Sequence, residues 1–184
     1  MNATREELSE KGKKRRDFIT LTATAMGGVL AGSIAWPLLQ SMNPAADTLA
    51  ESITEVNLAP ILSGAALTVI WQGKPVFIRH RTQQEIAEAE DAPMSALPDP
   101  QTDKSRVLKP QWLIVTGICT HLGCVPLGQK KTEPRGEYGG WFCPCHGSHY
   151  DTSGRIRKGP APTNMIVPPY TFVKEDLIRI GESS

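Results

Sequence analysis

Phe18 to Gln40, FITLTATAMGGVLAGSIAWPLLQ, is a run of 23 residues without a charge. As a helix rising about 1.5 Å per residue it would extend about 34 Å. That is enough to cross a hydrocarbon core of about 30 Å, and the pattern predicts one membrane-spanning helix over 18–40. Gly27, Gly28 and Gly32 would let a neighbouring membrane helix approach closely. Pro37 falls near the far end, where its missing N–H disrupts least. Beyond Gln40 the pattern changes twice. SMNPAADTLAES, residues 41–52, is small and polar and reads as a flexible hinge or linker. From Ile53 on, short β-rich runs follow one another: ITEVNL, ALTVIW, PVFIRHR, WLIVTGI, GWFC, and YTFVKEDLIRI, which would turn at Glu175-Asp176 as a hairpin. One short helix is predicted at TQQEIAEAE, where Thr82 and Glu85 make a capping box. The fold class expected for 53–184 is all-β. Asp91–Pro110, with four prolines, reads as a surface insertion, and Lys158–Pro169 as an irregular loop.

Charge adds direction to this picture. The chain has 20 Lys and Arg against 19 Asp and Glu, a net charge of +1, so no global basic excess points to nucleic acid. Arg5, Lys11, Lys13, Lys14, Arg15 and Arg16 all precede the apolar run, and the next basic residue is Lys74. By the positive-inside rule the N-terminus stays in the cytoplasm and everything after residue 40 is exported. KRRDFIT resembles a twin-arginine export signal, with Arg15-Arg16 followed by Phe18 and Ile19, and with Lys14 where Ser or Thr is usual. Residues 1–17 are thus expected to be a cytoplasmic N-terminus carrying that signal. A cleaved signal peptide with Ala23-Thr24-Ala25 at its cut is the alternative. The apolar run is longer than a typical signal core, which favours a retained anchor.

All four cysteines fall in two clusters, CTHLGC (119–124) and CPCHGS (143–148). Each cluster holds two cysteines and one histidine at metal-ligand spacing, a strong metal signal. Three assignments compete. In the first, all four thiolates share one zinc. Pro144 holds Cys143 extended, however, and the resulting separation of about 6.6 Å along the chain is wide for two sulfurs each about 2.3 Å from one metal. In the second, Cys119, His121, Cys143 and His146 hold zinc. In the third, the same four hold a [2Fe–2S] cluster, two on each iron. Cys124 and Cys145 would pair in either of the last two, and an exported domain is where a disulfide persists. Spacing alone leaves zinc and iron–sulfur both open.

The two boxes resemble those of the Rieske iron–sulfur family in its quinol-oxidising branch, a class in which two histidines replace two cysteines on one iron. The basic N-terminus, single span, linker, GGWFCPCHGSHYD and GRIRKGPAP extend the likeness to the Rieske subunits of bacterial cytochrome bc complexes, over nearly the whole chain. The resemblance implies a Rieske-type antiparallel β-sheet domain with cluster-binding loops over 53–184, tethered to one N-terminal transmembrane helix. It implies one [2Fe–2S] cluster per chain, with Cys119 and Cys143 on one iron, His121 and His146 on the other, and a Cys124–Cys145 disulfide joining the loops. Ser148 and Tyr150 would donate hydrogen bonds to a bridging sulfide and to the Cys119 sulfur. Leu122 and Gly123 would form an apolar tip that docks with His146 beside the quinone pocket. Gly159, Pro160, Ala161 and Pro162 would cover the cluster as a third loop. His146 is the expected catalytic contact to substrate, whereas His149 and His80 have no assigned role.

The activity implied is that of the iron–sulfur subunit of a quinol:cytochrome c oxidoreductase. It would take one electron from ubiquinol, with a proton through a ligand histidine, and pass the electron to a membrane c-type cytochrome, contributing to proton translocation. Two neutral imidazoles in place of two thiolates leave the oxidised centre formally neutral, which eases its reduction, and a free imidazole nitrogen couples the electron to a proton. The implied partners are a cytochrome b subunit, the c-type cytochrome and ubiquinol, in a dimeric complex of the bacterial inner membrane with the head in the periplasm. The twelve linker residues would reach about 40 Å if extended, enough for the head to travel between docking sites. A zinc-stabilised exported interaction module and the small Rieske subunit of a periplasmic oxidase are the alternatives. A colourless zinc protein would support the first, and loss of the span and linker the second.

Overall fold

The computed structural model describes residues 3–42 and 52–182, with the backbone alone for 3–11. Most of the expected linker, residues 43–51, lies outside the described residues. The chain divides into two compact units, Met1–Ala46 and Asp47–Ser184. The first is a single helix, α1 (Ala3–Gln40). It begins well ahead of the predicted span, because Glu, Lys and Arg are good helix formers, so the segment expected as a separate N-terminus is helical from residue 3. Gly12–Gln40 is long and apolar enough to cross a membrane. Its threonines are reconciled with that setting by bonding backwards: the hydroxyls of Thr20, Thr22 and Thr24 donate to the carbonyls of Arg16, Phe18 and Thr20 at 2.7–2.9 Å. Those donors are satisfied without water.

The second unit is built from β1 (Thr54–Asn57), β2 (Ala66–Trp71), β3 (Lys74–His80), β4 (Trp112–Thr116), β5 (Gly139–Cys143), β6 (Ser148–Asp151), β7 (Ile156–Lys158), β8 (Tyr170–Lys174) and β9 (Leu177–Ile180). They form three three-stranded antiparallel sheets in the orders β1-β9-β8, β2-β3-β4 and β5-β6-β7. The β8–β9 hairpin pairs Phe172 with Ile178 and turns through Glu175-Asp176, as the sequence pattern predicts. One short helix, α2 (Gln83–Glu90), starts at the expected capping box. Thr82 Oγ1 accepts from the Glu85 N–H at 3.2 Å, and Glu85 Oε2 accepts from the Thr82 N–H at 2.9 Å.

Strand periodicity explains how the three sheets share two cores. Val76 and Ile78 of β3, with Trp112 and Ile114 of β4, pack against Val56, Ile178 and Ile180 of the first sheet. The alternate residues Phe77, Leu113 and Val115 pack against Trp141, Tyr150 and Ile156 of the third. The middle sheet is therefore covered on both faces. β4 is buried at every position, which is why WLIVT reads as an unbroken apolar run. Each Ile, Leu or Val so buried contributes about 1.5–3 kcal/mol. The third sheet rests on this wall, and a register shift between Gly139 and Trp141 lets β5 close onto β6. A Cβ on Gly140 would lie 2.0 Å from the Asp151 carbonyl oxygen, so glycine is required at that approach.

The segment 91–110 is mostly exposed, in keeping with the expected surface insertion, but a few of its side chains reach inward. It carries two 3-10 turns, Met94–Ala96 and Asp103–Ser105, and it buries Leu97, Asp103 and Arg106. Asp103 forms a two-pronged ion pair with the buried Arg81, at 2.6 and 2.9 Å. Arg106 donates to the carbonyls of Ser153 and Met165. Polar composition suggested exposure here, but these polar groups are the partners of buried charges.

Candidate metal centre

Three loops converge beyond β5 and β6. The first leaves β4 and carries Cys119 to Cys124. It is closed by two backbone bonds, Cys119 N–H to Cys124 O at 2.7 Å and Gly123 N–H to Cys119 O at 3.0 Å. The second is the β5–β6 connection, closed by the Cys143–Ser148 pair and by Gly147 N–H donating to Cys143 O at 2.9 Å. The third follows β7 and begins at Gly159, whose φ is +105° and whose hypothetical Cβ would lie 2.5 Å from the Gly147 carbonyl oxygen. Any larger residue there would push the third loop off the second.

A disulfide between Cys124 and Cys145 ties the first loop to the second. Cys119 and Cys143 are free and buried, and the Cys143 sulfur lies within 4.8 Å of both disulfide sulfurs. The imidazoles sit further out. His146 is exposed, His121 is half-buried, and their ring centroids are 4.6 Å apart, edge to face. The Nδ1 of His121 is buried without a hydrogen-bond partner. A buried polar atom left unpaired is costly and calls for an explanation such as a missing ion. Two buried thiols and an orphaned imidazole nitrogen are a donor set that fits a thiolate–imidazole metal centre.

The electrostatics of the thiols follow from their neighbours. Burial pushes the Cys119 thiol up, but hydrogen bonds from Tyr150, the His121 backbone, Cys143 and Ser148 outweigh it and hold its pKa below the ordinary value. Burial, and the neighbouring Cys119 charge, push Cys143 up. Tyr150 donates to the Cys119 sulfur at 3.2 Å, and its own ionisation is pushed up by burial and by that thiolate. The Ser148 hydroxyl accepts from the Ala161 N–H at 3.2 Å, and Ala161 packs in the same core cluster as Cys119 and Cys143. Gly159, Pro160 and Pro162 remain exposed around it.

At the rim, Leu122 is 70% exposed and Val125, a residue the sequence pattern did not single out, is 53% exposed. Gly123 lies beside Leu122 in the same turn. Thr120 was also missed. Its backbone N–H donates to the Tyr150 hydroxyl at 3.3 Å, and its own hydroxyl donates to the Thr163 carbonyl at 2.6 Å, linking the first loop to the third. Nothing in CTHLGC marks that threonine, because both its partners are remote in sequence. His149 points elsewhere: its Nδ1 accepts from the Glu137 N–H at 3.1 Å, and its ring packs against Phe142. His80 ends β3, donating from Nδ1 to the Ile61 carbonyl at 2.7 Å and stacking on Trp112.

Residues 68–171 match the Rieske [2Fe-2S] domain, and residues 6–45 match the family described as the Ubiquitinol-cytochrome C reductase Fe-S subunit TAT signal. The chain is 57% identical over 167 residues to the ubiquinol-cytochrome c reductase iron-sulfur subunit of Rhodospirillum rubrum, covering 91% of each. It is 55% identical to that of Rickettsia felis over 96% of this chain and 98% of the relative. It is 54% identical to the mitochondrial cytochrome b-c1 complex subunit Rieske of Saccharomyces cerevisiae, over 92% of this chain and 77% of the relative. A chain of a solved structure, described as hyperthermophilic respiratory Complex III, shares the fold with a TM-score of 0.51 at 21% identity, covering 87% of this chain and 98% of that one.

Proposed function

The chain belongs to the Rieske [2Fe–2S] family, among the iron–sulfur subunits of ubiquinol-cytochrome c reductase, and from that premise we propose which of its residues do what. It is an electron-transfer component of a cytochrome bc complex, with cytochrome b and a c-type cytochrome as partners. A zinc-only module and a periplasmic oxidase subunit both give way to this membership. In the reading we favour, Cys119 and Cys143 hold one iron and His121 and His146 the other. The cluster, when bound, supplies a one-electron acceptor.

The chain's own residues do the rest. His121 would bind the iron through its buried Nδ1, which would leave its second nitrogen free of the metal. His146 presents an exposed ring that accepts a hydrogen bond from the quinol hydroxyl and takes its proton at the nitrogen not bound to iron. Leu122, Gly123 and Val125 form an apolar rim that seats against cytochrome b and keeps water from that hydroxyl. Tyr150 and Ser148 supply donors toward the Cys119 side of the site. The apolar helix anchors the chain in the bacterial inner membrane, N-terminus in the cytoplasm and head in the periplasm. Residues 41–52 give the head its reach between ubiquinol and the cytochrome, in a dimeric complex.

The observation that carries this reading is the set of two buried thiols, a partnerless buried His121 Nδ1 and an exposed His146 ring 4.6 Å from that of His121. Ubiquinol added to the oxidised complex should bring up the paramagnetic signal of a reduced cluster. Leu122→Asp should slow that quinol-driven signal while leaving the dithionite-reduced one intact, and proline at Ala45, Ala46 and Ala50 should slow only the onward step to the cytochrome. A signal that appears with dithionite and never with quinol would contradict the proposal.

A further inference from the structure

The covering loop is held from outside the site, and the holding converges on one side chain. Asn164 is buried, and its backbone N–H, both amide N–H groups and its side-chain oxygen are all engaged. Its backbone N–H donates to Asp99 Oδ2 at 2.8 Å, and its amide Nδ2 donates to the Asp99 carbonyl and to Gln101 Oε1, both at 3.0 Å. Its Oδ1 accepts from the Ile156 N–H of β7 at 3.0 Å. A single amide thereby joins the third loop, the third sheet and the 91–110 segment. Arg106 of the same segment closes the ring, donating to Gln101 Oε1 and, at 2.6 Å, to the carbonyl of Met165 next to Asn164.

The neighbouring residue carries this restraint to the metal centre. The carbonyl of Thr163 takes the Thr120 hydroxyl at 2.6 Å. Thr120 in turn donates its backbone N–H to the Tyr150 hydroxyl, which donates to Cys119 Sγ. Two residues the other way, Ala161 N–H donates to Ser148 Oγ. Both hydroxyls beside Cys119 are therefore referenced to the backbone on either side of Pro162. That backbone is fixed, through Asn164, by the Asp99–Gln101 turn.

We propose that Asn164 is a positioning residue for the cluster: it transmits the 91–110 segment's hold on the third loop to the Tyr150 and Ser148 hydroxyls, and so sets both the cluster's potential and its shielding from water. This rests on the assignment of the centre as a [2Fe–2S] site. Loss of the joint frees Thr163 and Ala161, weakens the donors to the sulfur, and disfavours the more negative, reduced state. The loosened loop also admits water and chelator.

The test uses the full chain in its complex, as wild type, Asn164→Ala, Asp99→Ala and Leu97→Ala. Leu97 is buried in the same segment and its truncation costs packing without removing any of these hydrogen bonds. Redox titration followed by paramagnetic resonance should show Asn164→Ala and Asp99→Ala lowering the midpoint by at least a threefold change in the reduced-to-oxidised ratio, roughly 30 mV at 59 mV per tenfold. Both should also bleach several-fold faster in chelator. Leu97→Ala should lower the melting temperature with the potential unmoved. Asn164→Ala with a lowered melting temperature but wild-type potential, line shape and bleaching rate would overturn the proposal, as would an equal shift in Leu97→Ala. A wild-type complex without a [2Fe–2S] signal would instead overturn the assignment on which it rests.

Discussion

Tyr150 is fully buried, and its hydroxyl is the one polar group of that side chain. It accepts from the Thr120 N–H and donates to the Cys119 sulfur at 3.2 Å. A donor to a ligand sulfur favours the more negative, reduced centre. If that bond differs by about 1 kcal/mol between redox states, Tyr150→Phe lowers the midpoint potential on the order of 40 mV, using 59 mV per tenfold. A redox titration of the variant checks this, and an unchanged midpoint would contradict it. At this scale the sequence was most legible where chemistry sits inside one short motif. CTHLGC and CPCHGSHY name the candidate ligands by residue type and spacing. Thr120, Asn164 and His149 were not legible because each works through backbone groups distant in the chain. The Glu137 N–H that occupies His149 is twelve residues away, and no local pattern announces it.

Elements were legible in proportion to how well their burial follows a single period. β4 and the β8–β9 hairpin announce themselves as apolar runs, and α2 by its capping box. β6 and β7, SHYD and IRK, went unread because they are short and carry the polar groups that serve the site and its ion pairs. The inward-reaching residues of the otherwise exposed 91–110 segment went unread for the same reason. The Asp103–Arg81 pair tests their role. Burial pushes the Asp103 carboxyl up, but hydrogen bonds and charge from Arg81 outweigh this and leave its pKa lowered from 3.8. A lowered folded pKa means the contribution is fully present above the unfolded value and is lost as pH falls toward the folded one. Asp103→Asn would leave Arg81 buried without its counter-charge and cost about 3–5 kcal/mol at neutral pH. Urea denaturation should also show the wild type losing more stability than the variant between about pH 4 and about pH 3. Equal losses in the two would contradict the account.

At the scale of the whole molecule, charge and hydrophobicity divide the labour before any fold is considered. The basic residues ahead of residue 17 and the uncharged run that follows them fit a membrane anchor ahead of the β-rich head. The head holds two thiols inside and two imidazoles toward the surface, one of each on the loop that leaves β4 of the middle sheet and one of each at the β5–β6 end of the third. If these four are the ligands proposed above, that inside-out division would place electron storage in the protein and proton exchange at its edge. The most direct test is pulsed paramagnetic resonance of the reduced complex prepared with 15N-labelled histidine. The account predicts a [2Fe–2S] signal coupled to two histidine nitrogens, with His121→Ala and His146→Ala each failing to give that two-nitrogen spectrum. A cluster signal with no histidine coupling, or a silent zinc-containing protein, would contradict it.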